Sequence, residues 1–421
     1  MHLVLRMAAM AFIFLLAAIS WVALGGVMSS RTGEQSSELV GRVHDLWGVQ
    51  QVQQAPELVF SWVQLSEQES PLLDGHGRAV LDTEGRPVMK RDMVRQELAQ
   101  RPDSTTIEAG LELDQRRKGL MWFSLYDVDF DGRWTYTHRE SRSGTISFLF
   151  RLPVDSGSYD GFALLVDGED LSETVVPSNG VLRVELPVDP GQELAFRVRY
   201  RSRGVDEWSY RPTQGAGQLD DFSLTLRTDF REIDFPSYTM SPSTRQQEGE
   251  GWVLSWAFDR LVTGDGMGMV MPQKVQPGPL AAEMAFSAPI SLLFFMAWIF
   301  VLGLLKGVEV HPINHFFLAA AFFSFHLLFG YTADRLPVEQ AFALASVVSV
   351  LLVVSYLRLV VGPRFALVEA GLAQLLYLVG FSLAHFWEGF TGLTVTVLGI
   401  LTLFALMQLT GRIRWAEVLK A

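Results

Sequence analysis

The sequence predicts a membrane protein with an N-terminal transmembrane helix, a large β-rich, sandwich-like extracytoplasmic domain, and a C-terminal bundle of five transmembrane helices. Three observations support this prediction. Hydrophobic residues make up 49% of the 421-residue chain, which is high for an ordinary soluble protein. Long uncharged runs lie close to the two ends of the chain. Between them, apolar and polar residues alternate with a period of two, bounded by Gly, Pro, Asp and Asn turn signals.

The first uncharged run covers residues 7–28 and is about long enough to cross a hydrocarbon core of roughly 30 Å. It is either a retained anchor or a cleaved signal peptide. We favour the anchor, because the run is longer than a signal-peptide core of about 7–15 residues and no clean A-x-A site follows. Five further apolar runs lie at 286–305, 313–333, 340–357, 365–387 and 389–411.

Basic residues near the helix ends predict the orientation in the membrane. One side of the predicted membrane holds Arg6, Lys306, Arg358, Arg364, Arg412, Arg414 and Lys420, whereas the short loops of the other side hold Arg335. We therefore expect both termini to be cytoplasmic and the middle of the chain to lie outside the cytoplasm. The predicted domains are the anchor helix (1–28), the β-rich domain (29–285), which begins with a polar linker at 29–38, and the five-helix domain (286–421).

Composition excludes several classes of function. The chain contains no cysteine, so disulfides, thiolate metal sites and cysteine nucleophiles are excluded. Its formal net charge is −12, and the acidic residues concentrate in the middle part. An acidic domain is a poor candidate for electrostatic binding of nucleic acid or anionic lipid, and we expect no nucleic-acid partner.

Five segments of the middle part show the clearest alternation, and we predict a strand in each: 144–154, 162–168, 182–188, 193–203 and 222–230. One weak helical candidate lies at 91–100. In the fourth strand Arg197, Arg199, Arg201 and Arg203 fall on one face. That face is either an anion-binding stripe or, as we favour, a solvated strand face with acidic neighbours.

The segment YDVDFDGRW (126–134) resembles the opening of a calcium loop through Asp127, Asp129 and Asp131. Position 12 of such a loop would be His138, where a bidentate Glu is needed. We therefore predict a strand whose aspartates share one face and which ends in a hairpin turn at Asp131 and Gly132. Weak cation binding by the three aspartates stays as the alternative.

Several stretches together resemble the CreD-like family of bacterial inner-membrane proteins. The stretches are LWGVQQVQQAPELVF, RRKGLMWFSLY, GWVLSW, the His-Pro before the third helix, and LTGRIRW after the last helix. The matching positions are Trp47, Gly48, Gln51, Pro56, Arg116, Gly119, Tyr126, Gly251, Trp252, Trp256, His311 and Pro312. The order and spacing of these motifs carry the resemblance, which runs from about residue 40 to the C-terminus. The family's Ser-Glu-His appears here as YTADR, which is typical of a divergent member.

The resemblance implies a bacterial inner-membrane location, with the middle domain in the periplasm, and a role in cell-envelope integrity or the envelope stress response. The family supplies no catalytic residue to carry over. The sequence also lacks the G-x-S-x-G, H-E-x-x-H, Walker and G-x-G-x-x-G motifs. We expect no enzyme activity, no catalytic residue, no cofactor and no metal.

Ionisable residues in the membrane helices are the candidate functional residues. Glu369 lies about one turn into the fifth helix. It either relays protons, pairs with a cation of a neighbouring helix, or extends to the cytoplasmic interface. His326 and His385 lie towards the outer leaflet, where they either ligate a cofactor or, as we favour, make ordinary helix-packing and interfacial contacts. His311 and His315 are either a metal pair or, preferably, residues of the headgroup region.

The leading functional hypothesis is a non-enzymatic protein whose periplasmic domain binds an envelope protein, a lipid or a wall component. The lipid bilayer is its other expected partner. The alternative is a transporter or export subunit with a polar path through the helix bundle near Glu369. The chain shows no evident internal repeat and no pair of Gly/Pro-broken helices, which argues mildly against transport.

Overall fold

The computed structural model describes residues 3–118, 121–213, 215–308, 310–387 and 389–411. Contacts divide the chain into two compact units. The helical unit comprises Met1–Gly41, Arg117–Trp122 and Lys274–Ala421, and the β-rich unit comprises Arg42–Arg116 and Phe123–Gln273. Gly119 and the residues after Gly411, including Arg414 and the end of the LTGRIRW motif, lie outside the described residues.

In the part of the chain that the structure describes, six helices are long and apolar enough to cross a membrane, so the six predicted apolar helices are confirmed. They are α1 (Leu3–Trp47), α2 (Pro277–Lys306), α3 (Pro312–Thr332), α4 (Val338–Val361), α5 (Phe365–Phe386) and α6 (Thr391–Thr410). Such helices satisfy their own backbone hydrogen bonds, as a bilayer requires. The arrangement of an apolar N-terminal helix, a large β-rich middle part and several apolar C-terminal helices is that of a multi-pass membrane protein.

The helix ends follow the expected signals. Both α2 and α3 begin with proline. Proline has no backbone N–H, and this is tolerated there because the N–H groups of a first helical turn have no partner within the helix. The Nδ1 of His311 accepts a hydrogen bond from the Ile313 N–H at 3.3 Å and caps α3. Gly307, with a φ of 65°, ends α2 in the left-handed conformation that glycine adopts without strain.

The prediction of a polar linker at 29–38 is wrong, because α1 continues as a helix to Trp47. The segment 29–47 contains no proline, and its scattered Gly and Ser residues weaken a helix without ending it. Gly48 follows with a φ of 97° and marks the helix end. Helix α2 likewise begins earlier than predicted, at Pro277 rather than 286.

Among the described residues there are fifteen strands, β1 (Gln51–Gln54), β2 (Glu57–Pro71), β3 (Met89–Gln100), β4 (Ser104–Lys118), β5 (Met121–Thr137), β6 (Gly144–Arg151), β7 (Asp160–Val166), β8 (Glu169–Asp170), β9 (Val181–Val188), β10 (Glu193–Val205), β11 (Glu207–Arg211), β12 (Gly217–Thr228), β13 (Thr244–Glu248), β14 (Gly251–Thr263) and β15 (Met267–Val270). The five strands predicted from alternation correspond to β6, β7, β9, β10 and β12. The weak helical candidate at 91–100 is wrong, because that segment is part of β3. Cross-strand pairing with β2 there overrides the local helix propensity.

The strands form three sheets. An eight-stranded sheet has the order β13-β14-β12-β4-β5-β10-β7-β8, a four-stranded sheet the order β3-β2-β6-β9, and a three-stranded sheet the order β1-β11-β15. Most neighbours are antiparallel, but two pairs are parallel: β1 with β11, and β4 with β12, where Thr105 lies opposite Phe222. The four-stranded and eight-stranded sheets share one aromatic core. In it Phe148 of β6 stacks on Phe196 of β10, with ring centroids 4.4 Å apart.

The predicted hairpin turn at Asp131 and Gly132 is wrong, because β5 runs unbroken from Met121 to Thr137. Gly132 instead leaves room for an aromatic ring, since a Cβ there would lie 2.3 Å from the Trp134 side chain. The predicted alternation across this segment is confirmed, with Val128 and Phe130 fully buried.

Candidate functional sites in the helical and β-rich units

Glu369 forms an ion pair with Lys306, the last residue of α2. Its side chain is 11% exposed, whereas that of Lys306 is 46% exposed. The structure therefore shows pairing with a cation of a neighbouring helix, which was one of the three expected alternatives. Glu369 lies in a π-helical segment of α5, Phe365–Ala370, whose wide turn is typical of special packing positions.

If this ion pair serves only to stabilise the fold, exchanging its two charges should leave the melting temperature of the protein nearly unchanged. We expect Glu369→Lys to lower the melting temperature in detergent, because it places two cations together, and Glu369→Lys with Lys306→Glu to restore it. Glu369→Gln should change the melting temperature and function only slightly. Complete loss of function in Glu369→Gln, with an unchanged melting temperature, would instead identify Glu369 as a proton relay.

His326 and His385 are buried in the helical unit, at 3% and 7% exposure. The Nδ1 of His326 faces the Phe322 carbonyl oxygen at 3.2 Å, and its ring meets Trp21 of α1 edge-on, with centroids 5.6 Å apart. The Nε2 of His385 lies 2.9 Å from the Ser287 hydroxyl of α2. Each histidine thus contacts a neighbouring helix. Among the described residues no group of three His, Cys, Asp or Glu side chains could hold a metal ion.

Sequence reasoning missed a buried polar chain between α3, α4 and α5. The Nε2 of Gln374 donates to the Ser349 hydroxyl at 2.9 Å, and that hydroxyl donates to the Ala321 carbonyl oxygen at 2.7 Å. Gln374 is fully buried, and within the described part of the chain its Oε1 has no partner. Neutral serine and glutamine side chains in apolar runs give no charge signal, so the sequence does not distinguish them from surface-facing residues.

The segment Arg117–Trp122, which includes part of the RRKGLMWFSLY motif, belongs to the helical unit. The guanidinium of Arg117 donates to the Ala333 carbonyl oxygen at 2.8 Å, beyond the end of α3. The side-chain amide of Gln276 brackets the Trp122 backbone, accepting from its N–H at 2.9 Å and donating to its carbonyl oxygen at 2.8 Å. These polar contacts involve backbone groups, so a sequence pattern cannot identify them.

Other residues of the motifs quoted above make packing and hydrogen-bond contacts within the β-rich unit. Gln51 is 2% exposed, and its amide donates to the Arg203 carbonyl oxygen at 2.7 Å. A Cβ at Gly48 would lie 2.8 Å from the same oxygen. Pro56 is buried, Arg116 bonds Asp114 at 2.7 Å, and the Trp47 side chain lies outside the described residues.

The GWVLSW motif begins β14. Gly251 lies against the Thr228 backbone, and the fully buried Trp256 donates its indole N–H to the Met240 carbonyl oxygen at 2.9 Å. Trp252 is half-buried and donates to the Arg231 carbonyl oxygen at 2.9 Å. These contacts give the motif a role in strand packing.

The aspartates of YDVDFDGRW and the arginine stripe form one ladder between β5 and β10. Ion pairs join Asp127 to Arg203 at 2.8 Å, Asp129 to Arg201 at 3.3 Å and Asp131 to Arg197 at 2.5 Å. This confirms the solvated face with acidic neighbours. Because each aspartate already has a cationic partner, the three carboxylates do not form a shared oxygen cage for a cation.

Asp131 is the least exposed aspartate of this ladder. Burial raises the pKa of its carboxyl group, but hydrogen bonds from Arg197 and Arg133 outweigh that effect and hold the pKa below its usual value. The carboxylate therefore stays charged, and its contribution to stability is present above the usual pKa of Asp and is lost as the pH falls through the lowered value.

A groove of about 780 Å³ lies in the β-rich unit where β2 leaves β6. Pairing of β2 with β6 ends at Ser61 and Thr145, whereas pairing with β3 continues to Pro71. The lining residues are Ser61, Trp62, Val63, Gln64, Arg95, Ser141, Arg142, Ser143, Gly144 and Thr145. The ring of Trp62 stacks on Phe60, with centroids 5.3 Å apart, and the guanidinium of Arg142 lies over it at 4.9 Å from its centroid.

Comparison with known proteins gives no family for the chain. No family model and no curated protein matches it. It is similar to a Legionella pneumophila protein proposed to bind a nutrient, with 9% identity and a TM-score of 0.24 over 46% of this chain and 73% of that chain. It is also similar to an M1 zinc metallopeptidase from Deinococcus radiodurans, with 10% identity and a TM-score of 0.24 over 76% of this chain and 93% of that chain. At such TM-scores these likenesses support no inference about fold or activity.

Proposed function

We propose that the protein is a multi-pass protein of the bacterial inner membrane that supports cell-envelope integrity or the envelope stress response without catalysing a reaction. Its β-rich domain would lie in the periplasm, with both termini in the cytoplasm. The six apolar helices, the positions of the basic residues and the resemblance to the CreD-like family support this proposal.

The groove beside Trp62 is the observation that carries the proposed binding role. Arg142 supplies positive charge there, whereas Arg95 is ion-paired with Glu97 and Glu185. Neighbouring serine and glutamine side chains supply hydrogen-bonding groups. The guanidinium of Arg142 lies over the Trp62 ring, and its Nη1 donates to Gln64 Oε1 at 3.4 Å, so two contacts hold it in place. A preorganised guanidinium suits carboxylates. We therefore propose a hydroxyl-rich, carboxylate-bearing wall glycan as the ligand.

The test uses the purified full-length protein and soluble peptidoglycan fragments. We expect Arg142→Ala to weaken binding about tenfold, the loss typical of one hydrogen bond to a charged group. Trp62→Ala should weaken it similarly, because it frees the guanidinium. Arg231→Ala is the matched control, since Arg231 forms an exposed ion pair with Glu250 and does not line the groove. Calorimetry would measure the affinities, and equal affinities for all three variants would contradict the proposal.

The buried chain through Gln374 and Ser349 favours a transporter or export subunit as the second candidate. Polar side chains inside a bundle are typical of polar pathways through the membrane. Gln374→Leu should abolish transport if the chain forms part of a path, whereas the binding role predicts unchanged envelope phenotypes in a folded variant.

A further inference from the structure

A cavity of about 230 Å³ lies in the helical unit, where the first residues of α1 meet the end of α2 and the start of α3. Arg6, Phe300, Gly303, Gly307, Val310 and His315 are among its lining residues. Gly307 presents backbone without a side chain, and a Cβ there would meet nothing within 4 Å, which allows a ligand to approach closely. The cavity is separate from Glu369, His326 and His385, which do not line it.

The cavity combines a cation with an unsatisfied acceptor. The guanidinium of Arg6 donates to the Val310 carbonyl oxygen at 3.2 Å. His315 is 1% exposed, and its Nδ1 lies 3.3 Å from the His311 carbonyl oxygen, which cannot donate. The Nδ1 therefore carries the proton, and Nε2 of a neutral ring presents a lone pair. Among the described residues this Nε2 has no partner, so it calls for a donor from a ligand.

An apolar groove of about 210 Å³ lies beside this cavity, between α1 and α2. Its lining includes Met7, Met10 and Phe14 of α1, and Leu293 and Met296 of α2. Phe300 lines both spaces and makes them neighbours. From Arg6 to Phe14 the helix rises about 12 Å at 1.5 Å per residue, close to the roughly 15 Å depth of one hydrocarbon leaflet.

We propose that the two spaces form one phospholipid site. The phosphate lies beside Arg6, a headgroup hydroxyl or ammonium donates to Nε2 of His315, and an acyl chain lies along Met7, Met10 and Phe14. The flexible thioethers of the two methionines suit a chain of variable shape. A headgroup without a donor leaves Nε2 unsatisfied, so the site selects phosphatidylglycerol or phosphatidylethanolamine over phosphatidylcholine.

Native mass spectrometry of the full-length protein, titrated with each of these three lipids, tests the site. We expect the first two lipids to bind about tenfold more tightly than phosphatidylcholine, the loss typical of a buried hydrogen bond to a polar headgroup. His315→Phe should abolish this preference. Met10→Trp should block all three lipids by filling the groove. Leu15→Trp is the matched control, because Leu15 is 58% exposed on α1 and does not line the groove.

Two further outcomes decide against the proposal. Equal retention of all lipids by the protein and by each variant would mean that only bulk annular lipid binds. Tight binding of glycerophosphoglycerol, which has the headgroup without acyl chains, at the same affinity as phosphatidylglycerol would mean that the apolar groove is not part of the site. Melting temperatures of the variants, measured in the same detergent, confirm that each one is folded.

Discussion

Trp256→Ala is expected to lower the free energy of unfolding of the β-rich domain by about 3–5 kcal/mol. Trp256 is fully buried in the aromatic core and pairs across the sheet with Leu224 of β12. Removing the indole leaves a cavity and also leaves the Met240 carbonyl oxygen without its 2.9 Å donor. Urea unfolding of the full-length protein, followed through the β signal in circular dichroism, would measure the loss.

Trp252→Ala provides the control for this prediction. Trp252 lies in the same strand, and it also donates its indole N–H to a backbone carbonyl oxygen, but it is only half-buried. We expect a loss of about 1 kcal/mol, mainly from the hydrogen bond. Equal losses at the two positions would show that burial in the shared core is not what makes Trp256 important.

Gly251→Ala should be the most damaging single-methyl change in the β-rich domain. A Cβ at Gly251 would lie 1.7 Å from the Thr228 carbonyl oxygen and 3.0 Å from the Asp229 Cα. Both obstacles are backbone atoms, so the start of β14 must move away from the end of β12. We expect a loss of about 3 kcal/mol, at the upper end for overpacking, measured by the same urea unfolding.

Gly249→Ala separates this steric effect from the general cost of losing a glycine. Gly249 lies in the turn between β13 and β14 with a φ of 61°, and a Cβ there would meet nothing within 4 Å. The expected cost is about 1–2 kcal/mol, from the left-handed backbone conformation alone. A larger loss at Gly249 than at Gly251 would contradict the predicted role of the Thr228 contact.

The helices were predictable because a bilayer requires long uncharged runs, and that requirement is visible residue by residue. The extension of α1 to Trp47 could not be predicted, because the polar residues of this extension fit a helix and a linker equally well. The predicted hairpin turn at Asp131 and Gly132 was wrong for a related reason. An Asp-Gly pair is a hairpin signal, but the absence of a side chain also accommodates a ring such as that of Trp134, which a local pattern does not show.

The candidate sites were less predictable than the fold. Glu369 stood out as a carboxylate in an apolar run, yet only the structure identifies Lys306 as its partner. The pairing of the aspartates with the arginine stripe depends on the register between β5 and β10, which no short motif contains. The cavity beside His315 depends on three separate helices, so its lining residues share no sequence pattern.

The parallel pairing of β4 with β12 has a consequence for the order of folding. Residues that face each other across these strands, such as Thr106 and Ser223, are 117 positions apart in the chain. Closing so long a loop is slow, and synthesis must pass residue 228 before the pairing is complete. Until then one edge of β4 stays open, and an open strand edge is a template for aggregation. During synthesis the nascent chain is therefore prone to aggregate for a long time, until shortly before its C-terminal helices are made.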